Sequence, residues 1–238
     1  MATPKSTLVR SLRRGLESVG DPVKAQAQQA YMKSAMPYAG VAMPDVRAIA
    51  RDVFAALRFN EPIEWRTAVQ TIWRGAKYRE ERYCAIALAR MPVHRIHRTL
   101  DALPLFEEMI VTGAWWDFVD EIAARLVGEL LERHPKPMRD VLSRWSRDDD
   151  IWKRRTAILA QLKFKRATDT KSLFDWIEPS LPSNEFFLRK AIGWALREYS
   201  KTDPDAVRRY VASHAGELSQ LSRREALKVI DREDASAR

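Results

Sequence analysis

The stretch VTGAWWDFVDEIAARL, residues 111–126, contains the beginning of an amphipathic helix and combines two adjacent tryptophans with two aspartates. Apolar residues at three- and four-residue spacing form one stripe along this helix: Val119, Ala123, Leu126, Val127 and Leu130. Trp116 and Asp120 fall on the edge of the stripe, one turn apart, whereas Asp117 and Phe118 point elsewhere. The pattern predicts that Asp117 is a solvent-facing acid at the helix start and that Asp120 is partly buried. Because burial of an unpaired carboxylate is costly, Asp120 needs a charge partner or a functional role.

The same helical spacing of apolar residues recurs through nearly the whole chain, and no pair of alternating runs is joined by a hairpin signal. Prolines interrupt the pattern, and because the residue before proline avoids the helical region, each marks a helix boundary. Such boundaries include Asp21-Pro22, Met43-Pro44, Glu61-Pro62, Met91-Pro92, His134-Pro135 and Asp203-Pro204. The sequence therefore predicts an all-α fold.

A weak internal repeat is carried by alanines that follow similar helical contexts, in RYCAIAL, EIAARL, RRTAILA and RKAIGWA. These alanines, about 34–38 residues apart, are Ala85, Ala123, Ala157 and Ala191. The spacing favours stacked helix pairs, as in an α-solenoid, over an irregular helical bundle. Because the concave face of a solenoid binds extended partners, a basic solenoid is suited to a nucleic acid backbone.

The charge balance supports a polyanionic partner, since Lys and Arg total 41 against 32 Asp and Glu, a net charge of +9. Both nucleic acid and an anionic membrane surface are compatible with that charge. No apolar run approaches the ~18–20 residues that span a bilayer. The N-terminal segment is Arg-rich like a transit peptide, but Leu8, Leu12 and Leu16 at a spacing of four favour an ordinary first helix over residues 1–20.

Metal and disulfide chemistry are not expected from the Cys and His content. Cys84 is the only cysteine and lies in an apolar helix, which excludes a disulfide framework and is compatible with a reducing compartment. His94 and His97 are spaced to share a helix face, but no carboxylate motif accompanies them, so we expect a solvated pair and no metal site.

Two further helices break the ordinary amphipathic pattern. In residues 148–165, Arg155 lies in the middle of an apolar stripe, while Arg154 faces away. An arginine on such a stripe either pairs with a carboxylate, for which Asp120 is the candidate, or lines a groove. In EFFLRKAIGWALREYSK, residues 185–201, Trp194 lies on one of two apolar faces, and Lys190 and Arg197 keep the helix basic.

These blocks resemble the DNA alkylation repair enzymes of the AlkD type. WWDFVD, IWKRRTAILAQLKFK and EFFLRKAIGWALREYSK match that family in order and spacing, and the likeness extends over roughly residues 20–230. The resemblance implies a single domain over residues 1–238, a right-handed superhelix of HEAT-like helix pairs with a concave basic groove. It also implies a tail at residues 232–238 that is a candidate for disorder.

The family resemblance implies a monofunctional DNA glycosylase that removes N3- and N7-alkylated purines from duplex DNA, without a cofactor and as a monomer. It places the catalytic carboxylate on Asp120, the flanking indoles on Trp116 and Trp194, and a phosphate-side arginine on Arg155. Further DNA-binding positions are Lys163, Arg197, Tyr31, Arg154 and Lys190. Gly113-Ala114 departs from the family pattern, which puts one backbone contact in doubt. The expected location is the cytoplasm, at the nucleoid.

Two readings from other classes remain open from the sequence. A non-catalytic solenoid that binds nucleic acid has the same basic charge. If the chain is instead a HEAT-type protein scaffold, its tryptophans belong to the core and its positive charge has no functional role. The combination of Asp120 with Trp116, Trp194 and Arg155 favours the enzyme, because a pure binding module does not need a partly buried acid.

Overall fold

The structure is a computed structural model that describes the backbone of residues 4–236 and the side chains of residues 7–232 and 234–236. This part of the chain forms α-helices and short turns without a β-strand, which confirms the all-α prediction. The α-helices are α1 (Pro4–Val19), α2 (Pro22–Met32), α3 (Met43–Phe54), α4 (Pro62–Gly75), α5 (Arg79–Arg90), α6 (Leu103–Gly113), α7 (Trp116–Glu121), α8 (Gly128–Arg133), α9 (Pro135–Trp145), α10 (Ile151–Leu159), α11 (Thr170–Ile177), α12 (Phe186–Ser200), α13 (Pro204–Ser213) and α14 (Gln220–Ser236). Within the described chain, no helix combines the length and apolar character that crossing a bilayer requires.

The predicted proline boundaries are confirmed, because α2, α4, α9 and α13 each begin at a proline. Proline suits the first helical position, where the missing N–H would have no partner inside the helix. Aspartates precede two of these prolines and cap the helices. The Asp21 carboxylate accepts N–H bonds from Val23 and Lys24 at 2.9 and 3.1 Å, and the Asp203 carboxylate accepts one from Ala206 at 2.8 Å.

The chain divides into two compact units, residues 1–105 and 106–238. In the first unit, buried side chains come from α1, α4 and α5, among them Leu12, Leu16, Trp65, Ile72 and Leu88. The single domain over residues 1–238, the superhelix and the concave groove stay predictions.

The histidine pair of the first unit is buried, so the prediction of a solvated pair is wrong. The segment Pro92–His97 is a 3-10 helix, whose three residues per turn align His94 with His97. His94 packs on Phe59 with ring centroids 4.9 Å apart, and His97 packs on Trp65 at 6.2 Å. Burial lowers the pKa of His94, which favours the neutral ring in this apolar setting.

The second unit has a core that joins α10, α11, α12, α13 and α14, and its buried members include Ile158, Ile177, Leu188 and Val207. The four repeat alanines, Ala85, Ala123, Ala157 and Ala191, are all fully buried, as expected for small residues at close helix contacts. α14 extends to Ser236 and packs through Ile230, and the disordered tail over residues 232–238 stays a prediction. Residues 237–238 lie outside the described residues.

A π-helical turn, Ile122–Val127, joins α7 to α8 without interrupting the helical path. Each π turn contains one more residue than an α turn, so it changes which residues face the neighbouring helices. Gly128 directly follows the π turn, and a Cβ atom there would lie 2.6 Å from the Ala160 carbonyl oxygen. The glycine therefore permits a backbone approach between the start of α8 and the end of α10.

Replacing Gly128 with alanine should lower the free energy of unfolding by about 1–2 kcal/mol, because the added methyl group meets a backbone oxygen that cannot rotate away. Urea denaturation measures the change. Gly216→Ala is the matched control, since nothing lies within 4 Å of a Cβ atom there, and its effect should stay within about 0.5 kcal/mol. Equal stability of the two variants would contradict the close approach at Gly128.

Candidate active site

The opening of α7 is set by a backbone turn at Ala114 and Trp115. Ala114 has a φ of 41°, in the left-handed region that a non-glycine residue rarely adopts. Trp115 is extended, with φ −154° and ψ 147°, and serves as the N-cap. α7 therefore begins at Trp116, which puts Trp116 on the first turn and Asp120 one turn later.

The side chains of α7 differ in part from the helical-wheel prediction. Asp117 lies in the first turn as predicted, but it is half-buried. Phe118, which the wheel places away from the apolar stripe, is also fully buried, so α7 is covered on more than one side. A 100° wheel assumes a regular helix with one buried face, whereas α7 is followed by a π turn and contacts neighbours on more than one side.

Asp120 and Arg155 form a bidentate ion pair, as the sequence suggested. Arg155 Nε donates to Asp120 Oδ1 at 2.7 Å, and Nη2 donates to Oδ2 at 2.8 Å. Arg155 Nη1 donates to the main-chain carbonyl of Phe187. One guanidinium therefore connects α7, α10 and α12 through three hydrogen bonds.

The two partners differ in exposure. The Arg155 side chain is 5% exposed and that of Asp120 is 14% exposed. A guanidinium so deeply buried and already bonded on three sides has little surface to offer a phosphate. The geometry thus favours an orienting role for Arg155 over the phosphate-side contact that the family resemblance implied, while one edge of Asp120 stays open.

Burial raises the pKa of Asp120 above its ordinary value. Hydrogen bonds and the charge of Arg155 act in the opposite direction, and the neighbouring Asp117 charge adds a smaller upward contribution. The carboxylate therefore depends on one cation to remain ionised while it is largely removed from water.

Aromatic side chains surround this ion pair, and the sequence analysis assigned no role to several of them. Trp115, Trp152 and Phe187 form a cluster with ring centroids 5.1–6.1 Å apart. The cluster packs beside the Phe187 carbonyl that Arg155 contacts. The signal was present in the sequence, because Trp115 and Trp152 stand directly beside motif residues, but helical spacing alone did not bring them together.

The two predicted indoles both retain exposed surface. Trp116 is 36% exposed at the start of α7. Trp194 is partly buried and packs against the core of the second unit. Both therefore offer ring surface to a partner, as a substrate-facing residue must.

The predicted DNA-binding residues have different surroundings. Lys163 is exposed in the turn after α10, and Tyr31 is 80% exposed in the first unit. Arg154 donates to the Pro179 carbonyl at 2.9 Å and to the Ser180 hydroxyl at 3.2 Å, so it holds a local turn. Lys190 and Arg197 meet at a carboxylate that the sequence analysis did not single out, Glu225.

Among the described residues, no three His, Cys, Asp or Glu side chains are grouped so that they could hold a metal ion. Cys84 is buried, which raises the pKa of its thiol to about 12. A thiol in this state is a weak nucleophile and a poor metal ligand. The groups available for chemistry near Asp120 are therefore a carboxylate, a guanidinium and indole rings.

In the part of the chain that the structure describes, helices alone hold a partly exposed carboxylate–arginine pair, and Arg155 also bonds the main chain of an aromatic cluster residue, Phe187, which defines a helical protein with an enzyme-like site. The family model described as DNA alkylation repair enzyme matches residues 12–230, and the chain belongs to that family. A solved structure, a predicted DNA alkylation repair enzyme from Enterococcus faecalis, is similar with a TM-score of 0.77 and 28% sequence identity. The match covers 88% of this chain and 95% of that one. No curated protein sequence matches.

Replacing Arg155 should lower the free energy of unfolding by more than the ion pair itself contributes, because the substitution leaves a buried carboxylate without a cation. Arg155→Met should lower the free energy of unfolding by about 3 kcal/mol at neutral pH. The loss should shrink with falling pH: the folded state then has the higher Asp120 pKa and gains the proton first, so the penalty disappears toward the ordinary aspartate pKa of about 4.

Urea denaturation at neutral and acidic pH measures both effects. Asp120→Asn/Arg155→Met is the control, since it removes the titrating group and should show no such recovery. A pH-independent loss in Arg155→Met would contradict the assignment of Asp120 as the unpaired charge.

Proposed function

We propose that the protein is a monofunctional DNA N-glycosylase that releases positively charged N3- and N7-alkylated purines from duplex DNA, the first step of base excision repair. Membership of the DNA alkylation repair enzyme family supports a role in DNA repair. The observation that carries the finer proposal is the Asp120–Arg155 pair, in which Arg155 bonds both carboxylate oxygens and the Asp120 side chain keeps 14% of its surface exposed.

The proposed reaction requires mainly a negative charge near the sugar and a correctly placed water molecule. An N3- or N7-alkylated purine carries a positive charge and leaves as a neutral base, so no general acid has to protonate it. The glycosidic bond breaks with its electron pair passing to the base, which leaves an oxocarbenium-like sugar. A carboxylate near C1′ stabilises that charge, and a water adds to C1′ and passes one proton to the surrounding solvent.

Arg155 determines how Asp120 takes part. Because Arg155 bonds to both carboxylate oxygens, it fixes the plane of the carboxylate and weakens its basicity. Each oxygen retains a second acceptor position, which is enough to hold a water molecule. Asp120 therefore acts mainly through its charge and by placing the water, and Arg155 acts as the orienting residue.

Trp116 and Trp194 supply a second means of stabilising positive charge. The face of an indole ring attracts a cation within about 6 Å of its centroid. Ring surface at both residues is exposed enough to pack against a deoxyribose. This arrangement is consistent with the family resemblance, which suggests that the lesion does not enter a deep pocket as in base-flipping glycosylases.

DNA backbone contacts are proposed for the remaining residues that the resemblance identified. Lys163 and Tyr31 have exposed side chains, and Lys190 and Arg197 are partly exposed beside Trp194. Arg154 contributes its charge while holding the turn at Ser180. The partner is double-stranded DNA, bound by a monomer without cofactor or metal.

A non-catalytic nucleic-acid-binding protein is the second candidate, and one observation favours it. The Asp120–Arg155 pair also serves as a clasp that joins α7, α10 and α12. If that clasp were its whole role, the chain would bind DNA without cutting a glycosidic bond. Measurement of base release separates the two candidates.

Wild-type protein should release 7-methylguanine from methylated duplex DNA, and Asp120→Asn should release it roughly 100-fold more slowly or worse, as expected when a preorganised charge is lost. Single-turnover measurement with excess enzyme reports the chemical step. Asp117→Asn is the matched control, because it removes the same charge three residues away and should stay close to wild type. Absence of release from every N3- or N7-alkylated substrate would overturn the enzyme proposal, and full activity of Asp120→Asn would overturn its role.

The pH dependence of base release should reflect the raised pKa of Asp120. Because the ionised form is the active one, the rate should fall as the pH drops through a pKa above the ordinary aspartate value of about 4. Arg155→Lys supplies a cation without the bidentate geometry, so its acid limb should lie at higher pH than that of the wild type. A profile that is flat over the whole acidic range would mean that Asp120 does not titrate during the reaction.

A further inference from the structure

Glu225, a residue of α14 to which the sequence analysis assigned no role, contacts both cations that lie beside Trp194. Its Oε1 is 3.0 Å from Lys190 Nζ, and its Oε2 accepts a hydrogen bond from Arg197 Nη1. Lys190, Trp194 and Arg197 are spaced by four and three residues, so they share one face of α12. Glu225 therefore joins the two cations that stand one turn before and one turn after the indole.

The position of Glu225 is fixed by the packing of α14 on α12. A Cβ atom at Gly193 would lie 2.5 Å from the Glu225 Cβ and 2.9 Å from the Ser222 carbonyl oxygen, so the helices touch at the glycine. Beside it, the buried Ser222 hydroxyl donates to the Arg189 carbonyl at 2.9 Å. The carboxylate is held against this turn of α12, whereas the long Lys190 and Arg197 side chains reach toward it.

Glu225 is ionised in this setting. The hydrogen bond from Lys190 lowers the pKa of Glu225, and the charges of Lys190, Arg197 and Lys228 lower it further. Its side chain is 13% exposed, while those of Lys190 and Arg197 are 40% and 25% exposed. Within the bonded group of Lys190, Arg197 and Glu225, two cations and one anion leave a single net positive charge beside Trp194.

This charge balance meets two opposing electrostatic requirements of the proposed reaction. The DNA backbone requires positive charge on the protein. The alkylated base and the oxocarbenium-like sugar are themselves positive, so two uncompensated cations around Trp194 would repel them. An anion bonded to both cations lowers the potential at the indole and leaves their remaining N–H groups directed to the backbone.

We propose that Glu225 is a positioning residue that sets charge specificity: by neutralising one of the two cations around Trp194, it allows a positively charged base or sugar to bind there. The inference rests on the proposed function, because it assumes that Trp194 faces the reacting nucleotide.

Binding of two abasic-site analogues in otherwise identical duplexes tests the charge effect without catalysis. A pyrrolidine analogue is cationic and mimics the reacting sugar, whereas a tetrahydrofuran analogue is neutral. For Glu225→Gln, the ratio of cationic to neutral affinity should fall about fivefold, the order of one partly screened charge. Binding to undamaged duplex should tighten, and its logarithmic salt dependence should steepen by about 0.9, as one added charge predicts.

Asp234→Asn is the matched control, because it removes one negative charge from the same helix about 13 Å further along. Asp234 pairs with Arg208 at 2.7 and 2.9 Å, away from Lys190 and Arg197. For Asp234→Asn, the ratio of cationic to neutral affinity should equal that of the wild type. An equal fall in this variant would show an effect of net charge alone and would overturn the proposal.

Lys190→Met/Glu225→Gln separates charge balance from helix packing. It restores the single net positive charge around Trp194 while leaving the Glu225 contacts broken, so the affinity ratio should return to the wild-type value. A ratio that stays low would make Glu225 a structural link between α12 and α14, and would overturn the proposal. Lys190→Met alone, which leaves Glu225 and Arg197 in place, should raise the ratio, and it keeps the test decisive if Glu225→Gln does not fold.

Failure of the proposed function gives a different result from failure of this inference. If wild type releases no base from any N3- or N7-alkylated substrate, the glycosylase proposal is wrong, whatever the affinity ratios are. If wild type releases the base and Glu225→Gln leaves the affinity ratio unchanged, only the role of Glu225 is wrong.

Discussion

Burial of the Asp120 carboxylate is the constraint on which the candidate site depends. Removal of a charge from water is tolerated only when a partner compensates it. The compensation comes from Arg155, which is itself buried and needs all three of its hydrogen-bonded contacts. The ion pair therefore requires α7, α10 and α12 to meet at one point.

The sequence predicted the members of this pair because each breaks a strong local pattern. Asp120 lies on the edge of an apolar stripe, and Arg155 lies in the middle of one, so both require a partner. Their pairing was a hypothesis, since 35 residues separate them and helical periodicity says nothing about distances between helices. The all-α class was predictable for the same reason: apolar spacing and prolines are local signals.

Other features depended on interactions between helices and escaped sequence analysis. Phe118 is buried although it lies off the apolar stripe, because burial by neighbouring helices is not visible in the periodicity of one helix. His94 and His97 looked like surface residues because their apolar neighbours, Phe59 and Trp65, belong to distant segments. Glu225 had no local peculiarity at all, and only the approach of α14 to Gly193 gives it its two cations.

The electrostatics of the site favour one kind of substrate under the proposed function. Burial raises the pKa of Asp120, but Arg155 donates to both of its carboxylate oxygens, so under this proposal the group serves as a hydrogen-bond acceptor and not as the proton donor for a departing base. A neutral purine needs such a donor, because it leaves as an anion without one. A cationic alkylpurine does not, and what it needs is a fixed negative charge beside the sugar and low positive potential at the indole rings. Under the proposed function, the clasp that joins α7, α10 and α12 therefore suits the release of bases that already carry a positive charge.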